Sequence, residues 1–429
     1  KHGGFLAPGM DFAFGFTGDG YIDRALQNDW LICNDSVVSP ASSNALEDLQ
    51  LRISLEPIRD LKIDLTANRT RNRSREIQYM FEGMPDTRSG NFSMSIISIG
   101  SAFERPSAGD GYHSGTFERF RRNLDVIRDR VESQFLGAQY PQGSILAGKT
   151  FDPANGTISK HSPDVMIPAF LAAYTGKSAR NSALDFFPSL FSMMPNWRIT
   201  YTGLTKIAWF KKNFRSVNLN HAYRSTYSVG SYNTFQSFMS YMGDIGFVED
   251  VQSGNPIPSS RFDISMVSIN EQFSPLIGMD ATLKNGLTAK VEYKTSRILN
   301  LSMSACQLVE TASRDFIIGL GYKIVNFNLF SGRNVKDSKN RVSHDLALRA
   351  DISFRNQSAL CRDIQQGFAQ ATNGNKALKI SCSADYTLSR LLTLRLYYDR
   401  QQNTPLVSSS SYPVVSADFG FSMKFSLTR

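Results

Sequence analysis

Hydrophobic and polar residues alternate with a period of two along much of the chain. Between residues 287 and 294, Leu, Ala, Val and Tyr alternate with Thr, Lys, Glu and Lys. The same pattern recurs in the segments 49–55, 61–67, 346–355, 378–386, 392–399 and 415–427. Successive side chains of a β-strand point to opposite faces, so the pattern predicts strands with one apolar and one polar face.

The predicted strands are long and numerous. Most span about nine or more residues, whereas strands of globular proteins usually have about five or six and a membrane-crossing strand needs about 9–11. A soluble lipocalin-like barrel or a large sandwich has the same period. However, the pattern predicts roughly a dozen strands, and a soluble barrel that wide would need something to fill it. The sequence therefore favours an all-β fold, the transmembrane antiparallel β-barrel of an outer membrane.

The connections between these strands differ in length. Asn285-Gly286 is a tight hairpin signal, and the segment 387–391 has room only for a short turn. The stretches 305–314, 357–375 and 403–413 are rich in Ser, Asn, Gln and Thr, and they are predicted to be longer polar loops. Short turns that alternate with long loops are typical of outer-membrane barrels.

One region, from about residue 104 to 195, lacks the alternation. Apolar residues from Phe117 to Val131 recur there at helical spacing, with arginines around them. Ser162-Pro163 predicts the start of a second helix, and Gly176 predicts its end. The chain is therefore divided into an entry segment and loop (1–48), barrel strands (49–104), a partly helical insert outside the hydrocarbon (105–195) and barrel strands to the C-terminal closing strand (196–429).

The side of the membrane that the insert occupies depends on the number of strands after it. Counting back from a periplasmic C-terminus places the insert in the periplasm if the segment 261–284 forms two strands broken near Pro275. Because proline removes a donor from the ladder, such a break is the prediction adopted. One continuous strand would place the insert on the exterior.

Composition and charge agree with a barrel. Hydrophobic residues make up 41% of the chain and charged residues 20%, which excludes a disordered chain. The mean hydropathy of −0.25 is an average over strands with one polar and one apolar face. The formal net charge is +9. However, the basic residues are spread along alternating strands, which favours charged lumen walls and headgroup contacts over nucleic acid.

Candidate chemistry is scarce. The five histidines are scattered, and the sequence has no Walker, GxGxxG, GxSxG or HExxH motif. The cysteines fall in no metal-binding spacing, and they are Cys33, Cys306, Cys361 and Cys382. We therefore predict neither enzyme activity nor a metal or organic cofactor.

The last predicted strand has an unbroken apolar stripe. Every odd position from Val415 to Leu427 is apolar, and three of these residues are phenylalanine. The stripe is similar to the aromatic closing strand by which insertion machinery recognises outer-membrane proteins, although such signals usually end in an aromatic residue and Thr428-Arg429 follow here. An ordinary amphipathic strand that happens to be last is the alternative.

Several longer phrases resemble one protein family. They are PNWRITY (195–201), HAYRSTY (221–227), NEQFSPLIG (270–278), PAFLAAYTG (168–176), DLTANRT (64–70) and FIIGLGY (316–322). Together they resemble the C-terminal part of the SprA/Sov family, over nearly the whole chain and most weakly near 240–260 and 330–344.

The resemblance implies a function in protein export. The SprA/Sov family forms the outer-membrane translocon of the type IX secretion system in Bacteroidetes, a single very large barrel that passes folded cargo proteins with a C-terminal secretion domain. It also implies partners, namely a PorV-type barrel at a lateral opening and a plug protein at the periplasmic mouth. The present residues would be the C-terminal portion of such a barrel.

The alternation within each predicted strand then assigns its residues to one of the two faces of the barrel wall. Polar-phase residues are expected to face the lumen or a protein-filled interior: Lys290, Glu292, Lys294, Arg349, Asp351, Lys379, Asp385, Arg395 and Asp399. Apolar-phase residues are expected to face lipid or a partner barrel: Leu346, Leu348, Leu394, Phe421 and Phe425.

Four arginines continue the apolar phase of the segment 61–67, and they are Arg69, Arg71, Arg73 and Arg75. If the strand continues, they project outward just beyond the apolar band, where guanidinium groups would bind lipopolysaccharide phosphates bidentately. The alternative is a solvated loop that begins at Asn68 or Asn72, since asparagine is a good turn former.

Two other functions stay open at this point. One is a self-contained porin or transporter of about a dozen strands. The other is a soluble β-rich surface or adhesion module.

Overall fold

The computed structural model describes residues 10–14, 20–30, 40–78, 86–325, 327, 345–388, 392–407 and 412–425. Its helices are α1 (Met10–Ala13), α2 (Tyr21–Gln27), α3 (Gly115–Ser133), α4 (Pro163–Tyr174) and α5 (Ala208–Asn213). Its strands are β1 (Ala41–Ile58), β2 (Leu61–Ile77), β3 (Thr87–Ser95), β4 (Asn196–Tyr201), β5 (Phe214–Thr234), β6 (Met239–Met242), β7 (Ile245–Glu249), β8 (Pro256–Ser260), β9 (Phe262–Ile264), β10 (Met266–Leu283), β11 (Leu287–Ser302), β12 (Gln307–Ile324), β13 (Leu346–Asp363), β14 (Ala369–Thr387), β15 (Leu392–Pro405) and β16 (Val414–Phe425).

One antiparallel sheet of 13 strands organises the molecule. Its main path runs β1-β2-β3-β5-β10-β11-β12-β13-β14-β15-β16, with β4 paired between β2 and β5, and β9 paired with β5. Strands β6, β7 and β8 form a separate small sheet. The prediction of an all-β antiparallel fold with a partly helical insert is confirmed.

The strands form hairpins whose turns mark two ends of the sheet. The basal end has the turns at residues 59–60 and 284–286, and β16 ends there at Phe425. The predicted Asn285-Gly286 turn is confirmed, since Gly286 adopts a φ of 90°. The distal end has the turns at residues 303–306 and 364–368. The connection that follows β3 leaves from the middle of the sheet, because Ser95 pairs with Thr226 and β4 continues from Asn196, which pairs with Thr66, toward the basal end.

The strands are longer than predicted. Strand β5 has 21 residues and β14 has 19, so at about 3.3 Å per residue they exceed an apolar band of about 25 Å. Most of the predicted polar loops at 305–314 and 357–375 are strand: β12 begins at Gln307 and β13 continues to Asp363. Those two loop predictions are wrong because polar composition reports exposure to water, whereas ladder pairing with both neighbours decides the backbone. The loop predicted at 403–413 lies mostly between the end of β15 at Pro405 and the start of β16 at Val414.

Pro275 bends one strand and does not divide it. Strand β10 runs through the proline, and its register with β11 resumes at Ile277 after a bulge that follows Phe273. The prediction of two strands at 261–284, on which the periplasmic position of the insert rested, is therefore wrong. A bulge absorbs the missing N–H donor while the flanking residues keep their partners.

The insert contains the two predicted helices. Helix α3 starts after Ser114, whose Oγ accepts a hydrogen bond from the Phe117 N–H at 3.1 Å. Helix α4 starts at Pro163, and Gly176 follows its end with a φ of 72°. The structural insert is slightly longer than predicted, from 96 to 195, because β3 ends at Ser95. The predicted entry segment also ends earlier, since β1 already begins at Ala41.

The main core lies between the insert and the distal half of one face of the sheet. Phe120 and Ile127 of α3 and Phe170 of α4 are fully buried, and Tyr227 and Leu299 of the sheet lie in the same cluster. The rings of Phe120 and Phe170 meet edge to face at 6.0 Å. Within the described residues, none of the helices is long and apolar enough to cross a membrane.

Candidate functional site

The register of the sheet gives it one polar and one apolar face. Directly paired residues share a face, and one row across five strands reads Lys290, Gly319, Asp351, Ser381 and Asp399. The adjacent row, on the opposite face, reads Val291, Ile318, Ile352, Ile380 and Arg400. The alternation seen in each strand is therefore aligned across the sheet.

All nine residues predicted to face a lumen lie on the polar face. They comprise five basic and four acidic residues. Glu292 lies between Lys290 and Lys294, with Nζ to carboxylate distances of 3.1 and 3.0 Å. Arg395 faces Asp385 across β14 and β15 at 3.6 Å. We call these nine residues the polar wall. Its charges nearly balance, so it presents no strong field of one sign.

The basal half of the other face is apolar and exposed. We call its exposed side chains the apolar belt: Leu51, Ile53, Leu55, Ile58, Ile277, Phe316, Leu320, Tyr322, Leu348, Ile352, Phe354, Leu396, Tyr398, Phe419, Phe421, Met423 and Phe425. Phe419 is 73% exposed and Phe421 is 58% exposed. The five residues predicted to face lipid lie on this face. Leu427 of the predicted stripe lies outside the described residues.

The insert covers the distal half of the same face. An ion pair is buried between the insert and the sheet. Arg297 of β11 and Glu271 of β10 lie side by side, with Nη2 to Oε2 at 2.7 Å. Glu271 also accepts hydrogen bonds from the hydroxyl groups of Ser98, at 2.6 Å, and Tyr223, at 2.8 Å. The other Arg297 nitrogen, Nη1, donates to the carbonyl oxygen of Ser101 at 2.6 Å. The pair thus fastens the start of the insert to the sheet.

A second buried pair repeats this arrangement two strands away. Arg362 of β13, which is 1% exposed, binds Glu310 of β12 at 3.0 Å. Its Nη1 donates to the carbonyl oxygen of Tyr112 at 2.7 Å, and its guanidinium lies 5.5 Å from the centre of the Phe117 ring. Sequence reasoning missed both pairs. The signal was present, because Arg297, Glu310 and Arg362 interrupt the apolar phase of their strands.

The four arginines of β2 bind groups of this chain. Strand β2 continues to Ile77, so no turn forms at Asn68 or Asn72. Arg75 binds Asp23 of α2 and Asp86, at 2.9 Å each. Arg69 and Arg73 both contact Glu47 of β1, and Arg71 lies 4.7 Å above the Phe187 ring. Binding of lipopolysaccharide by these arginines stays a prediction.

Comparison with known proteins gives little guidance. No family model and no curated protein matches the chain. Among solved structures, it is similar to the in vitro folded outer membrane protein OmpT of Vibrio cholerae in its trimer form. The two are 9% identical, the match covers 90% of this chain and 99% of that one, and the TM-score is 0.22. A likeness at that score does not determine a function.

Two carboxyl groups of the insert that are buried or partly buried have shifted pKa values. Burial raises the pKa of Asp164 in the first turn of α4, although the Ser260 N–H donates to it at 3.2 Å. Burial also acts to raise the pKa of Glu104. However, hydrogen bonds from Ser114 and Thr116 more than offset burial, and the net pKa is lowered. Glu104 therefore keeps its charge beside the first turn of α3, where the helix dipole favours an anion.

The described part of the chain offers no cluster of metal ligands. Among the described residues, no three His, Cys, Asp or Glu side chains are placed to hold a metal ion. Cys306, Cys361 and Cys382 are free thiols, and Cys33 lies outside the described residues.

Proposed function

We propose that the chain forms part of the wall of an outer-membrane β-barrel. One observation carries this proposal: the uncovered half of the sheet exposes its apolar face, while its other face carries the charges. Soluble proteins rarely expose a contiguous apolar patch of more than a few hundred Å². Hydrocarbon around a barrel covers such a belt, and water in the lumen solvates the polar wall. A soluble adhesion module would need another protein layer over the whole belt.

The two edges of the sheet support a barrel larger than this sheet. In the described ladder β1 and β16 lie at opposite edges, each paired on one side only. An unpaired strand edge is very costly in hydrocarbon, because its N–H and C=O groups have no partners there. We infer that further strands or a partner barrel pair with these edges. The self-contained porin would instead require β1 to pair with β16.

The proposed activity is passage of folded cargo proteins along the polar wall, as the sequence resemblance to the SprA/Sov translocon suggests. The mechanism uses no catalytic residue. The sheet keeps its backbone groups paired between neighbouring strands, and the polar wall offers a wet surface. Because basic and acidic residues nearly balance, cargo of either charge slides without being held. A PorV-type barrel and a periplasmic plug protein are the partners proposed with this function.

A photocrosslinker placed on adjacent residues of β13 tests this function. The probe at Arg349, on the polar wall, is expected to capture a secreted protein with a C-terminal secretion domain during export. The probe at Leu348, on the belt, is the matched control and is expected to capture lipid or a partner barrel. Heat-modifiable gel migration of both variants shows that the barrel has formed. Folded variants without cargo captured at Arg349 would favour the porin.

The orientation of the barrel follows from two features. The C-terminal strand ends at the basal end, and the long connection from β5 to β10, which carries the small sheet, leaves the distal end. Outer-membrane barrels have short periplasmic turns and longer exterior loops, so the distal end is proposed to face the exterior. This places the insert outside the cell.

Ser178, which is exposed on the insert, gives a test of that orientation. A Ser178→Cys variant is expected to react with a membrane-impermeant maleimide added to intact cells. The described native cysteines lie in the sheet or its turns, so the unmodified protein is the control for background labelling. If the variant is labelled above that background only after the outer membrane is permeabilised, the orientation is reversed.

A further inference from the structure

Three connections are tied together at the basal end of the sheet. The connection between β4 and β5, which contains α5, lies between the turns at 59–60 and 284–286. Asp60 pairs with Lys206, and its carbonyl oxygen accepts a hydrogen bond from the Thr202 N–H at 2.9 Å. On the other side, the Lys284 N–H donates to the Asn213 carbonyl oxygen at 3.1 Å. The α5 connection is therefore held in place by both neighbours.

Aromatic rings cluster on this connection and face outward. The Trp209 ring lies 4.9 Å from Phe210 and 5.8 Å from Phe214, and Phe210 lies 5.6 Å from Phe214. Trp209 is nevertheless 62% exposed, and Ile207 is 52% exposed. A cluster that is packed internally but open to the outside has an apolar surface that nothing in the described chain covers.

Basic residues lie on the same three connections or directly beside them. Arg59, Lys211, Lys212, Arg215 and Lys284 are all exposed, and none is paired with a carboxylate among the described residues. The nearest acidic group on these turns, Asp60, is already paired with Lys206. We call these five basic residues, with Trp209, the basal rim. It combines an aromatic anchor with unneutralised positive charge at the edge of the apolar belt.

We infer that the basal rim binds the phosphate groups of anionic phospholipids. Indole rings prefer the level of the lipid headgroups, and clustered Lys and Arg attract anionic headgroups. The other cluster of arginines, on β2, already binds Glu47, Asp23 and Asp86. The inference rests on the proposed function, in which the basal end meets the periplasmic, phospholipid-containing leaflet.

Lipid retention measured by native mass spectrometry tests this inference. The whole protein is released from nanodiscs that contain phosphatidylcholine with a minority of phosphatidylglycerol. The Lys211→Gln/Lys212→Gln/Arg215→Gln variant is expected to retain at least about fivefold less phosphatidylglycerol, the factor for losing one basic contact. The matched control, Lys149→Gln/Lys177→Gln/Arg180→Gln, makes the same charge change on exposed residues of the insert and should retain it normally.

The position of Trp209 gives a second measurement. Lipids brominated near the headgroup should quench tryptophan fluorescence of the wild-type protein more strongly than that of Trp209→Phe. Normal retention by the basal triple variant, or equal quenching of both proteins, overturns the inference. If the triple variant purified from outer membranes in detergent loses copurified lipopolysaccharide and keeps phosphatidylglycerol, the inference is also overturned, because the rim would then face the exterior. If the wild-type protein shows neither quenching nor heat-modifiable migration, the proposed barrel itself fails.

Discussion

Leu394→Arg is expected to impair assembly of the barrel. Leu394 lies on the apolar face, paired with Tyr386 on one side and Met423 on the other. Arginine on the lipid face costs roughly 2–4 kcal/mol at the midplane and about 0–1 kcal/mol near the interfaces, and Leu394 lies near the basal end of β15, toward the lower part of this range. The measurement is the fraction of protein in the outer-membrane fraction that shows heat-modifiable migration.

Lys379→Leu is the control for Leu394→Arg. Lys379 lies on the polar wall, paired with Ser353 and Gln401, so leucine there contacts water and neighbouring polar side chains. Its assembly is expected to be close to that of the wild-type protein. Equal assembly of the two variants would show that the faces are assigned wrongly, and better assembly of Leu394→Arg would show that they are reversed.

Arg297→Met is expected to loosen the insert from the sheet. The substitution leaves Glu271 buried and charged without its cation, and breaking a buried pair in this way costs about 3–5 kcal/mol. The carbonyl oxygen of Ser101 also loses its donor. The expected result is rapid cleavage of the segment 96–195 by a protease under conditions in which the wild-type insert resists, together with a lower urea midpoint.

A variant that lacks both charges distinguishes the contribution of the ion pair to stability from the contribution of side-chain packing. The double variant Glu271→Leu/Arg297→Met leaves no orphan charge, so it should lose less stability than Arg297→Met alone. Glu47→Gln, which removes a half-exposed partner of Arg69, should cost no more than about 1 kcal/mol. If the double variant is less stable than Arg297→Met, the two residues stabilise the protein through their shape and hydrogen bonds. The explanation by an unpaired buried charge is then wrong.

Local patterns predicted most of the sheet and both main helices. The alternation at 287–294 and 346–355 places each side chain on the face where the ladder puts it, because the period of two is a property of the strand itself. Helix α3 and the end of α4 before Gly176 were predictable for the same reason. The helical spacing of apolar residues and the left-handed φ of a glycine are both local properties of the chain. The polar wall therefore follows from the sequence alone.

Features that depend on distant pairing were not predictable in this way. Pro275 reads locally as a break, yet β5 and β11 hold β10 in register on both sides of it. Polar stretches such as 357–363 read as loops, yet β12 and β14 pair with them and keep them extended. Hydrogen bonds between strands are made with residues far away in sequence, so composition within a window does not report them.

The sequence by itself determined the all-β class, the two faces of the sheet and the helical insert, because these depend on side-chain period and local backbone preference. Only the tertiary structure decided that the insert leaves the sheet between β3 and β4, and that it covers the distal half of the apolar face. It also decided that Arg297 and Arg362 are buried beside Glu271 and Glu310. A charged residue at an apolar position of the alternation is visible in the sequence as an exception to the pattern. Only the folded structure shows which opposite charge offsets the free-energy cost of burying it.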